Sequence, residues 1–246
     1  MSYSFSNLQV RNEDGRIQPE QVLDVLLAGQ RLTKAEQADR ADVVIAVGAK
    51  AGSPWLTVVS DLFDEDPEKS VSLARELSGK LGTAVLAVSG LDSDYLFLNL
   101  HDAAHHVDAW ASCGRFPYGK APRRSHFAAW AGYAADAAAM RAVMKKPCVF
   151  AEECLEGLAP ILSLPVSQSG CCPETAEGDP DFRCFYYRSD EENHDPPRFA
   201  LDLDMTAGSY GFGTPCLLSF INLGGASRGV AVCVRGGMRY PKTGGI

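Results

Sequence analysis

The chain has 246 residues, enough for one large domain or two small ones, either with a proper core. Its net charge of −8 excludes a broad nucleic-acid footprint or attraction to an anionic membrane, because both need clustered lysine and arginine. The start, Met1-Ser-Tyr-Ser-Phe-Ser-Asn7, lacks the basic residues and apolar run of a signal peptide, and no stretch reaches the roughly 18 apolar residues of a membrane helix. A cytoplasmic location with mostly reduced cysteines is the expectation.

Tyr3 to Arg11 alternates apolar and polar residues and predicts a strand. Asp14-Gly15 marks a turn. Pro19 then suits the first turn of a helix whose Val22, Leu23, Leu26 and Leu27 recur at helical spacing. Asp42 to Val47 and Trp55 to Ser60 are β-rich and flank a turn at Ala49 to Pro54, which predicts a hairpin. Asp66-Pro67 opens the next helix, as an N-cap carboxylate before a first-turn proline. Val71, Ala74, Leu77 and Leu81 form its stripe, and Gly82 ends it. Ala84 to Ser89 is another strand, and two more follow in 91–111.

The order over 1–114 is thus β-α-β-β-α-β-β-β, part of which resembles a split β-α-β arrangement. Residues 114–124, with two glycines, two prolines and four basic side chains, read as a linker or exposed loop, or as a contact for an acidic partner. Ser125 can cap a helix running through Met144, with Phe127, Trp130, Ala134 and Ala138 on one face. Cys148 to Leu162 predicts a second helix, ended near Pro160, and together these make a helical hairpin. Phe182 to Tyr187 is a strand, 189–197 is an acidic loop, and Phe199 to Asp204 alternates. Two further strands, Pro215 to Asn222 and Val230 to Arg235, flank a glycine-rich turn. The fold class expected is α+β: a largely antiparallel sheet with two helices in residues 1–114, then a helical hairpin plus β-rich region over 125–246. The second part can pack onto the first.

Three of the five histidines lie within Leu91 to Trp110. A turn over Asp102 to His105 pairs Leu100 with Val107, Leu98 with Ala109 and Leu96 with Ala111, which makes one face apolar. The other face then pairs Phe97 with Trp110, Asn99 with Asp108, and His101 with His106. Side chains so placed, about 4.5–5.5 Å apart at Cβ, could share a divalent metal, with His101, His106 and Asp108 as ligands. The simpler reading is the polar rim of a hairpin.

The eight cysteines form no Cys-x-x-Cys pair. Cys171 and Cys172 sit in a loop sequence and are candidate redox, metal or nucleophilic thiols, for which His126 or His194 would be the base. Gly48-Ala-Lys-Ala-Gly-Ser-Pro54 lacks the Gly-Lys-Ser/Thr order of a phosphate-binding loop, and turn chemistry explains 208–213 and 223–229. These features predict a non-catalytic intracellular binding or interaction protein, with no resident cofactor and with a protein or small ligand as partner. The alternative is a metal-dependent or cysteine-dependent enzyme.

Overall fold

A computed structural model describes residues 4–36, 38–64, 66–112, 126–146 and 150–189, and the backbone of 218–221 and 231–234. The first strands and helices form where hydrophobic period and caps place them: β1 (Phe5–Arg11), α1 (Pro19–Leu26), β3 (Val43–Ala49), β4 (Trp55–Ser60), α2 (Pro67–Leu81) and β5 (Ala84–Leu91). Asp66 caps α2 by accepting from the backbone N–H groups of Glu68 and Lys69, and Gly82 closes it in the left-handed region at φ 61°. A three-residue strand β2 (Leu32–Lys34) precedes β3, and β6 (Tyr95–Asp102), β7 (His105–Ala111) and β8 (Phe182–Ser189) complete one sheet.

That sheet has eight strands in the order β2-β8-β3-β4-β1-β5-β6-β7. Every described pairing in it is antiparallel. Its middle is a split β-α-β plan: β4 and β5 are joined through α2 and bracket β1, and β3 and β1 bracket β4. The β6–β7 hairpin extends one side. On the other, β8 enters from far along the chain and pairs with β3, so it joins the sheet built by residues 1–114.

Both faces of the sheet are buried. Leu8, Val10, Ile45, Val58, Val85 and Ala87 point to one side, against Val22, Leu26, Leu73 and Leu77 of the first two helices. Leu86, Val88, Leu96, Leu98, Leu100 and Trp110 point to the other, where Trp130, Met140, Leu155, Leu158 and Leu162 cover them. Burial on both faces explains why β5 reads as a nearly unbroken apolar run.

The cover on the second face departs from a simple helical hairpin. In place of one helix over 125–144 there is a 3₁₀ turn, Phe127–Gly132, and then α3 (Ala137–Lys145). Asp136 starts the second piece, because its carboxylate accepts from the N–H groups of Ala138 and Ala139. The expected second helix shortens to α4 (Ala151–Leu158), on whose Gly157 the Val143 side chain packs. A short α5 (Pro173–Glu177) precedes β8.

A polar seam runs along the second face. Thr57 Oγ1 donates to Gln9 Oε1 at 2.9 Å, Gln9 Nε2 donates to Asn7 Oδ1 at 2.8 Å, and Asn7 Nδ2 donates to the Ser169 carbonyl at 2.7 Å. All three side chains are fully buried. The seam ties the covering segment to the sheet through directional bonds that apolar packing lacks.

The chain divides into two compact units, residues 1–194 and 195–246, so the division falls well beyond the linker expected at 114–124. In the second unit, β9 (Leu218–Ile221) and β10 (Ala231–Val234) pair antiparallel, as their flanking turn sequence predicts. The expected linker, the acidic loop, the Phe199–Asp204 strand, His194 and both later glycine-rich loops lie outside the described residues. No helix among the described residues is long and apolar enough to cross a membrane.

Candidate functional site

The histidine hairpin has a shorter turn and a shifted register. Asp102 pairs with His105 across a two-residue turn, Ala103-Ala104, and His101 pairs with His106 as expected. Beyond that pair the ladder slips: Leu100 meets Asp108, Asn99 meets Ala109 and Leu98 meets Trp110. Val107 is the extra residue of a bulge. The slip turns Trp110 inward, where it is 7% exposed, and carries Asp108 with it.

The three candidate ligands therefore divide. The rings of His101 and His106 meet edge to face with centroids 5.4 Å apart. Asp108 joins the opposite face, where it accepts from the indole N–H of Trp130 at 2.6 Å. Among the described residues no three His, Cys, Asp or Glu side chains group closely enough to hold a metal ion. His101 is 3% exposed and neither ring nitrogen has a hydrogen-bond partner. Burial, then His106 and then Arg75, lower its pKa from 6.5 to about 4. The positive charge of Arg75, which helps to lower that pKa, also opposes a cation bound at the ring.

Cys171 and Cys172 are buried free thiols. Cys171 packs with Ala46, Val59 and Phe182, and its thiol donates to the Ser167 carbonyl at 3.2 Å. Burial pushes its pKa up, which works against a thiolate nucleophile. Cys172 caps α5, where its backbone N–H donates to Thr175 Oγ1 at 3.0 Å. His126 is exposed just before the 3₁₀ turn, and no hydrogen bond joins it to either thiol among the described residues. Lys50, in the glycine-containing turn, is ion-paired with Asp181. The expectation of reduced cysteines needs one correction: Cys154 on α4 is disulfide-bonded, to a partner outside the described residues.

A different site lies on the outer edge of α4. Phe5, Glu152, Leu155, Glu156, Val166 and Gly170 line a groove of about 160 Å³. Its lining is mainly apolar. The Phe5 ring packs directly on Gly90, where a Cβ would collide with it. Val166 stands 53% exposed on the rim, and Phe150, the residue before α4, is 50% exposed. Glu152 and Glu156 are one helical turn apart and share a face. Among the described residues neither has a salt-bridge partner. Like charges at that spacing destabilise a helix by about 0.2–0.5 kcal/mol, so the pair does not serve the stability of α4. Glu152 and Glu153 also occupy the first turn, where the helix dipole favours carboxylates, but Glu156 lies beyond it.

The sequence holds a partial signal for this groove. Glu152 and Glu156 are visible at helical spacing, but Phe5 and Val166 are remote in the chain and only the tertiary fold brings them to α4.

Comparison with protein-family models, with curated proteins and with solved structures found no match for this chain.

Proposed function

We propose that the chain is a non-catalytic binding protein, and that the α4 groove is where its partner docks. The observation that carries this reading is the groove itself: an apolar slot with an exposed valine on its rim and two carboxylates that have no salt-bridge partner among the described residues. Its volume of about 160 Å³ favours a protein surface over a small molecule at this groove. Small-molecule and substrate sites usually occupy about 300–1,000 Å³. A slot of this size takes one or two side chains from another surface.

The alternative of a metal-dependent or cysteine-dependent enzyme draws less support. Among the described residues His101 and His106 have no third ligand beside them, and burial raises the pKa of Cys171.

The test is parallel affinity capture with the full wild-type chain and with Val166→Ser, followed by calorimetry with whichever purified protein the wild type retains. The reading stands if that protein binds the wild type directly and binds Val166→Ser at least about tenfold more weakly, the loss of a central contact of roughly 1.4 kcal/mol. It falls if the variant captures and binds the same proteins equally well, or if the wild type retains none.

A further inference from the structure

The groove has a sign as well as a shape. Leu155 and Phe5 give an apolar floor, Val166 one wall, and Glu152 and Glu156 line it with negative charge. Glu153 adds a third carboxylate, exposed on the same first turn. The four salt bridges of the described residues, Arg11–Glu13, Arg16–Asp14, Lys50–Asp181 and Arg183–Glu20, all lie elsewhere. The chain as a whole carries −8.

Resting on the docking reading above, we infer that the partner is a protein segment carrying lysine or arginine on both sides of one apolar anchor residue. The anchor fills the slot between Leu155 and Val166, and the flanking cations pair with Glu152 and Glu156.

Three features favour this occupant. Desolvating two carboxylates that have no ion-pair partner among the described residues is costly under a neutral partner, because each would lose water without gaining a counter-charge. A cation supplies that counter-charge, and an arginine can do so through two parallel bonds to one carboxylate. A purely charged segment leaves the apolar surface of Phe5, Leu155 and Val166 uncovered, and so forgoes the burial that an apolar anchor gains. Slot and carboxylates together therefore select a mixed sequence. They also forecast fast, salt-sensitive association, because opposite charges steer the encounter.

The test uses the full chain and three labelled synthetic peptides of equal length, read by fluorescence anisotropy at low and high salt. One alternates arginine with leucine, the second replaces arginine with glutamate, and the third replaces leucine with serine. Expected is binding of the arginine–leucine peptide only, at least about tenfold weaker in a Glu152→Gln/Glu156→Gln double variant and likewise in Val166→Ser. All three substituted side chains are at the surface, so these variants fold. Salt should weaken the wild-type interaction and affect the double variant much less.

Equal binding of the glutamate–leucine peptide, or an undiminished double variant, would overturn the basic partner. In that case loss of binding in Val166→Ser alone leaves the groove as a docking site of another specificity. If the arginine–leucine peptide fails to bind the wild-type chain, the proposal falls, and the docking reading is then judged on the capture experiment by itself.

Discussion

Trp130 donates its indole N–H to the Asp108 carboxylate at 2.6 Å, and both side chains are buried. The bond joins the segment covering the sheet to its last strand, β7. It accounts for a carboxylate inside an apolar cluster, and it occupies an oxygen that a metal site would need. Asp108→Leu leaves the indole N–H unpaired, and loss of a hydrogen bond to a charged group costs about 1.5–3 kcal/mol. The expected outcome is a fall in the urea midpoint with no change in zinc uptake by the purified chain. A variant with unaltered stability but reduced zinc uptake would instead return Asp108 to the role of ligand.

His101 predicts a pH dependence. Its pKa falls from 6.5 in the unfolded chain to about 4 in the fold, through burial first and then the charges of His106 and Arg75. Between those values the unfolded chain holds a proton that the folded chain does not. Stability is therefore whole above pH about 6.5 and is lost as pH falls toward 4. The total is on the order of 3 kcal/mol, of which about 2 kcal/mol is gone by pH 5. Urea unfolding at pH 7 and pH 5 should show this loss in the wild type and much less of it in His101→Phe. Equal losses in both chains would place the pH sensitivity in other groups.

What was legible in the sequence follows from the range of each signal. Asp66, Pro67 and Gly82 act within a few residues, and α2 forms between them as predicted. The pairing of His101 with His106 was legible for the same reason, being two residues from the turn. The Val107 bulge was not, because Val107-Ala109-Ala111 alternates as well as Asp108-Trp110 does. The difference is made by Trp110, whose burial against the covering segment outweighs the simpler register. In the 125–144 stretch, alanine propensity argues for one helix, but Asp136 hydrogen-bonds to the backbone ahead of it and starts a new one. β8 carries a clear strand pattern, yet nothing local says that it joins β3. The α4 groove depends on three segments meeting, so only its glutamate pair could be read in advance.

The hairpin turn is built from residues that suit it poorly. Ala103 and Ala104 both have positive φ, at 45° and 67°. Two-residue turns of this kind favour Asn-Gly, since a Cβ in the left-handed region costs about 1–2 kcal/mol. The turn is held by the Ala104 N–H, which donates to Ser78 Oγ on α2 at 3.1 Å, while the Ala104 methyl packs over Gly79. Ala103→Asn/Ala104→Gly keeps that backbone donor and removes the strain. Its melting temperature should rise, by the equivalent of about 1–2 kcal/mol. A fall would mean that the methyl contact with Gly79 outweighs the backbone strain. The converse variant, Gly79→Ala, sets a Cβ 2.8 Å from that methyl and should destabilise.

The disulfide-bonded Cys154 lies on the helix that carries Glu152 and Glu156. Cys154 is buried one residue before Leu155. At most six of the eight cysteines should then react with a thiol reagent in denatured, unreduced protein. Peptide mapping under the same conditions should recover Cys154 joined to its partner. Reduction should lower the urea midpoint by the equivalent of about 2–4 kcal/mol, the usual effect of losing such a cross-link. Cys154→Ser should match the reduced wild type, and a reductant should then change it no further. Such bonds persist in oxidising compartments and are rare in a reducing cytoplasm. Protein produced under oxidising conditions should therefore be the more stable form. If all eight thiols react even then, Cys154 serves as a small apolar core residue, and the expectation of reduced cysteines stands.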